Sequence, residues 1–242
     1  MNTICRALVA ASFSFLTMTA GVIEAREIPV PPAGNLIPAP PVYNSPAIEK
    51  LGDGKYRIGE ILINKQDKSV TFPAVVNMNS GILEYLLVNN VGKTHESLLR
   101  TGISPYNLQV AFMLLGYEGT NKRLSSQGSP ELPKGESVNI MLSNVAEKQT
   151  VPFPVESWLV NKTGSSTIDV NQLNWVFCGS YVNELGGFMS QESGSIVAIW
   201  HDPVAMIDNA SPGGESNRIW YVKEGTVPAV GTKVTVTVML AK

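Results

Sequence analysis

The sequence predicts a mainly β (α+β) fold, with antiparallel sheets forming a sandwich-like single domain and one or two short helices packed against it. Three observations predict it. Near the C-terminal end Val234, Val236, Val238 and Leu240 alternate with Lys233, Thr235, Thr237 and Met239, a period of two that puts the apolar set on one face of a strand. Upstream, short apolar runs are separated by Gly, Asn and Pro, the residues that turns select. A single segment, 104–116, carries a full set of helix start and stop signals.

Taken in order, residues 1–25 place Arg6 before an apolar run and end in small residues near Ala25, the layout of a secretory signal peptide. That run barely spans a bilayer core, which needs about 20 apolar residues, so an N-terminal membrane anchor is the lesser alternative. The expectation is therefore an exported chain, secreted or periplasmic, with no transmembrane segment once the signal is cleaved. Pro29, Pro31, Pro32, Pro38, Pro40 and Pro41 crowd residues 26–46 and favour an extended polyproline II tether. The β-rich domain is expected over 47–242.

Within it, apolar runs at 58–63 and 70–76 flank Lys65, Gln66, Asp67 and Lys68 and read as a hairpin, with 83–88 as a third strand. Ser104 suits a helix N-cap, Pro105 the first helical position and Gly116 the C-terminal stop, while Leu108, Ala111, Phe112 and Leu115 form an apolar stripe at helical spacing. Further strands are expected at 138–142, 157–160, 175–182, 195–200 and 218–222. By capping logic, Thr94 predicts a short helix over 96–100 closed by Gly102, and Asp202 with Pro203 predicts a helical turn over 204–207.

A formal net charge of −2 and the lack of Lys/Arg clusters exclude an electrostatic grip on nucleic acid, which needs several phosphate contacts from a basic face. Cys178 is the one cysteine beyond the signal segment, so the mature chain is expected to hold no internal disulfide and no Cys-rich metal site. Its neighbours Trp175, Val176 and Phe177 suggest a thiol in a core strand.

Chemistry concentrates in residues 92–98, where Lys93, Thr94, His95, Glu96 and Ser97 follow Gly92. The plain reading is a helix N-terminus, with Thr94 as cap and Glu96 matched to the helix dipole. A sharper reading joins His95 and Glu96 to His201 and Asp202 as four ligands for a divalent metal, although no HExxH or HxH spacing anchors such a set. Ser97 is not on a G-x-S-x-G elbow, which argues against a nucleophilic hydrolase.

The run from Val76 through Asn77, Met78, Asn79, Ser80, Gly81 and Ile82 to Val88 is followed by residues 92–99, by 111–116, by Trp175-Val176-Phe177-Cys178-Gly179-Ser180 and by 228–234. This succession resembles the YdjY-like family of exported bacterial proteins over most of the mature chain. The resemblance implies an uncharacterised exported domain and supplies no activity. Glu84, Lys93, His95 and Glu96 fall on the family's polar signature; His201 does not. Three functions stand as alternatives. The preferred one is a β-rich binding or interaction module whose candidate ligand residues are Glu84, Lys93, Thr94, His95 and Glu96, lining a groove for a protein or small-molecule ligand of the cell envelope, with no cofactor. The others are a divalent-metal-dependent enzyme using His95 and Glu96, and a structural cell-envelope component.

Overall fold

A computed structural model describes residues 41–143, 146 and 150–241. The expected signal segment and most of the proline-rich stretch lie outside the described residues. In chain order the elements are β1 (Glu49–Gly52), β2 (Lys55–Ile58), β3 (Ile61–Asn64), β4 (Ser69–Val76), β5 (Tyr85–Asn89), β6 (Ser97–Thr101), α1 (Pro105–Leu114), β7 (Glu136–Ser143), β8 (Phe153–Pro154), β9 (Leu159–Thr163), β10 (Ser166–Asp169), β11 (Trp175–Phe177), α2 (Met189–Ser193), β12 (Ser195–Ala198), β13 (Ile207–Asn209), β14 (Trp220–Val222) and β15 (Lys233–Leu240). The described residues form one compact unit. Among the described residues no helix is long and apolar enough to cross a membrane.

The expected sandwich of antiparallel sheets is wrong. Strands β4, β15, β7, β11, β13, β12, β5 and β6 follow one another in hydrogen-bonded order, and β6 pairs back onto β4 through Val75 with Arg100 and Val76 with Leu99, closing an eight-stranded barrel. The barrel is mixed, because β5 runs parallel to β6 and β12 parallel to β13. Strands β1 to β3 extend from β4 outside the ring, β8 adds to β7, and β10, β9 and β14 form a separate small sheet.

A barrel of this strand number leaves an interior that side chains fill. The alternation in β15 supplies part of it, burying Val234, Val236 and Val238, and β4 and β7 face them with Val70, Phe72, Ala74, Val76, Val138, Ile140 and Leu142. Phe112, Tyr117 and Phe177 pack their rings at 4.7–5.3 Å between centroids, joining the face of α1 to β11. The helix matches its sequence signals. Ser104 accepts the Asn107 N–H, Pro105 opens the helix, and Gly116 just past its end has φ +83°, a left-handed conformation that glycine adopts without a Cβ penalty.

Three local expectations fail for identifiable reasons. The run 58–63 is broken by a turn at Gly59 and Glu60, with Gly59 at φ +57°, so β2 and β3 form their own hairpin. The helix over 96–100 is a single 3-10 turn, Thr94–Glu96, leading into β6, because Ser97 to Thr101 take ladder partners on β5 and β4. The helical turn over 204–207 gives way to β13, where Ile207 pairs with both Phe177 and Val197.

Candidate functional site

Two short crossovers carry the residues singled out by the sequence. Residues 90–96 connect β5 to its parallel neighbour β6, and residues 199–206 connect β12 to its parallel neighbour β13. Strand β12 also pairs with β5, which sets the two crossovers side by side. At the start of the first, the Asn89 carbonyl accepts the Gly92 N–H at 2.8 Å, and the Asn89 side chain holds the Val91 N–H. Gly92 then passes so close to Gly194 that a Cβ on Gly92 would meet the Gly194 carbonyl at 3.0 Å. The 3-10 turn is held by Asn77, whose amide donates to the carbonyls of Thr94 and Ser97.

Glu84 lies beside Glu96 because β5 and β6 are in register at Tyr85 and Ser97, and the Glu84 N–H donates to the Glu96 carbonyl at 3.0 Å. Their carboxyls face each other. Burial, the Glu84 charge and a hydrogen bond between the two carboxyls hold Glu96 above the ordinary carboxylate range, while His95 and Lys93 pull it down. Asn217 donates to the Glu84 carboxyl at 3.0 Å. His95 is 79% exposed, with Nε2 3.6 Å from Glu96, and Lys93 Nζ lies 3.9 Å from the other Glu96 oxygen.

Lys93 turns the cluster inward. Its ammonium donates to the Tyr85 hydroxyl at 3.0 Å and to the Gln127 side-chain oxygen at 3.3 Å, and Gln127 also donates to Tyr85 at 2.9 Å. The fully buried Tyr85 hydroxyl donates in turn to Asp202 at 2.6 Å. Burial and the Asp202 charge push the phenol well above its ordinary range, which keeps it a neutral donor. Behind it, Asp208 accepts the Asp202 and Asn209 backbone N–H groups at 2.9 and 2.8 Å. Burial raises Asp208 to about 7, those N–H bonds and His201 moderate the rise, and the Asp202 charge adds to it.

Lys93 and Asp202 thus share one network, whereas the two histidines occupy different surroundings. His201 is buried, with Nδ1 and Nε2 in hydrogen-bond contact with the Ser129 and Asn209 carbonyls at 2.7 and 2.8 Å. Both ring nitrogens are thus occupied by carbonyl partners. Among the described residues no group of three or more His, Cys, Asp or Glu side chains is placed to hold a metal. Cys178 follows directly after β11, and burial pushes its thiol up, with Asp208 and Glu136 adding to the shift. Such a thiol is a poor nucleophile.

The sequence reading missed Tyr85, Gln127, Asp208, Asn77 and Asn217. Tyr85 left one signal: a phenol inside the aliphatic run 83–88 needs a hydrogen-bond partner once that run is buried.

The YdjY domain model matches residues 61–239. The chain belongs to the YdjY domain family. The match runs from β3 through β15 and so takes in the strands of the closed ring, leaving β1 and β2 outside it. Searches of curated proteins and of solved structures return no match.

Proposed function

We propose that this YdjY domain is a secreted or periplasmic binding module whose ligand residues are Glu84, Lys93, Thr94, His95 and Glu96. The observation that carries this reading is the carboxyl pair of Glu84 and Glu96, held together on a surface turn beside Lys93 and the exposed ring of His95. A carboxyl held above its ordinary range by burial and by a second carboxyl gives up its proton readily to pair with an ammonium group, and the neighbouring lysine and histidine suit an anionic group. The matching ligand is a small molecule or peptide end that carries both charges. The leader-like layout of residues 1–25 supports export.

Amide NMR titration of the mature protein with free amino acids and dipeptides tests the reading. Saturable shifts centred on residues 84 and 93–96, lost in the Glu84→Gln/Glu96→Gln double variant, are expected. No saturable shift with either ligand set counts against the assignment. Stoichiometric divalent metal in the purified protein, absent from His95→Ala, would put a metal-dependent enzyme in its place.

A further inference from the structure

A second open surface lies toward the other end of β4. A groove of about 1080 Å³ opens on the outer face where β2 and β3 continue the sheet beyond β4 and β15. Register explains its composition. Arg57, Leu62, Thr71 and Thr237 stand side by side across the four strands, as do Lys55, Asn64, Ser69 and Met239, while the alternate residues Ile63, Val70 and Val238 turn inward and are buried. The groove starts near Ser69, whereas the polar crossovers adjoin Val76, so the two sites are separated by roughly 20 Å of β4.

Two large apolar side chains are left open there, Leu51 at 40% and Leu62 at 43% exposure, alongside partly exposed Met239 and Leu240. The hydroxyls of Thr71 and Thr237 satisfy each other at 3.0 Å. Strands β2, β3, β4 and β15 each have neighbours on both sides, so their ladders are occupied and offer an extended peptide no row of free backbone groups. An occupant must therefore be held by side chains, which favours an apolar chain that requires no hydrogen bonds.

Charge selects its head. Lys55 and Lys68 line the groove, and neither forms an ion pair among the described residues. Arg57 is shared with Glu49 at 3.4 Å, and the Asp67 carboxylate is engaged by the Asn64 amide. We propose that this groove binds a long-chain fatty acid, its hydrocarbon lying along Leu51, Leu62 and Met239 and its carboxylate meeting Lys55 and Lys68.

Displacement of the fluorescent fatty acid cis-parinarate from the mature protein by palmitate tests the proposal. Saturable displacement is expected. Leu62→Glu should weaken palmitate at least tenfold, as should Lys55→Glu/Lys68→Glu, and methyl palmitate should compete at least tenfold less well than the acid. His95→Ala should bind as wild type does, since the polar crossovers are not involved. These positions are exposed, and circular dichroism with thermal melts will establish that the variants are folded. Absence of saturable binding, Leu62→Glu or the double lysine variant binding like wild type, equal competition by the methyl ester, or loss of binding in His95→Ala would each overturn the assignment. So would preferential capture of an acidic peptide over palmitate.

Discussion

The Tyr85 hydroxyl donates to the Asp202 carboxylate across 2.6 Å, and through that bond the two crossovers 90–96 and 199–206 share one buried network. Lys93 from the first and Asp202 from the second are opposite charges that meet through a neutral phenol.

Tyr85→Phe keeps the ring and removes the hydroxyl, stranding an oxygen of the buried Asp202 and taking a partner from the partly buried Gln127 amide. A buried polar group left without its partner costs about 1–3 kcal/mol. The urea midpoint should fall with its slope unchanged. An unshifted midpoint would show that the network does not stabilise the fold.

Glu96 is held above the usual carboxylate range, so its protonated form is the one the fold favours. The stability tied to that proton is fully present below the unfolded value for Glu, about 4.3, and is lost as pH rises through the higher folded value. Glu96→Gln imitates the protonated acid. Its thermal midpoint relative to wild type should therefore climb from acid toward neutral pH; a constant difference would contradict the raised Glu96 carboxyl.

Asp208 follows the same sign. Its folded value of about 7 lies above the ordinary one because burial outweighs the help of two backbone N–H groups and His201, with Asp202 opposing ionisation. Stability from its proton is complete below about pH 4 and disappears as pH rises through about 7. Asp208→Asn should flatten the stability curve across that interval. A variant curve parallel to that of wild type would show that another group titrates there.

Gly214 sits under the buried histidine. A Cβ at this position would stand 2.3 Å from His201 Nε2 and 2.5 Å from the Asn209 carbonyl. Gly214→Ala must displace that ring from its carbonyl partners, and overpacking of this kind typically costs about 1–3 kcal/mol. Thermal melts showing no loss would mean that the loop shifts freely.

The parts of the fold visible in the sequence are those whose cause is local. Strand β15 showed its alternation because one face is inside the barrel, and α1 showed its ends because Ser104, Pro105 and Gly116 act within a few residues of themselves. Barrel closure was not visible. Parallel neighbours usually require a connection of a dozen or more residues, whereas residues 90–96 and 199–206 manage with fewer, the first aided by the close passage of Gly92 against Gly194. Short links between strands therefore read as antiparallel. The candidate site divides the same way: Lys93, His95 and Glu96 are one sequence cluster, but Glu84 joins them only through the register of Tyr85 with Ser97. Asp202 reaches Lys93 only through Tyr85, a contact across 117 residues for which periodicity holds no trace.

Like the hoop of a cask, the seam between β4 and β6 leaves the eight staves with no first or last member. A hoop does not unravel from an end, so the amides of these staves should exchange with solvent together, in one concerted opening. Strand β1 and the small sheet of β9, β10 and β14 lie outside the hoop and are free to detach earlier.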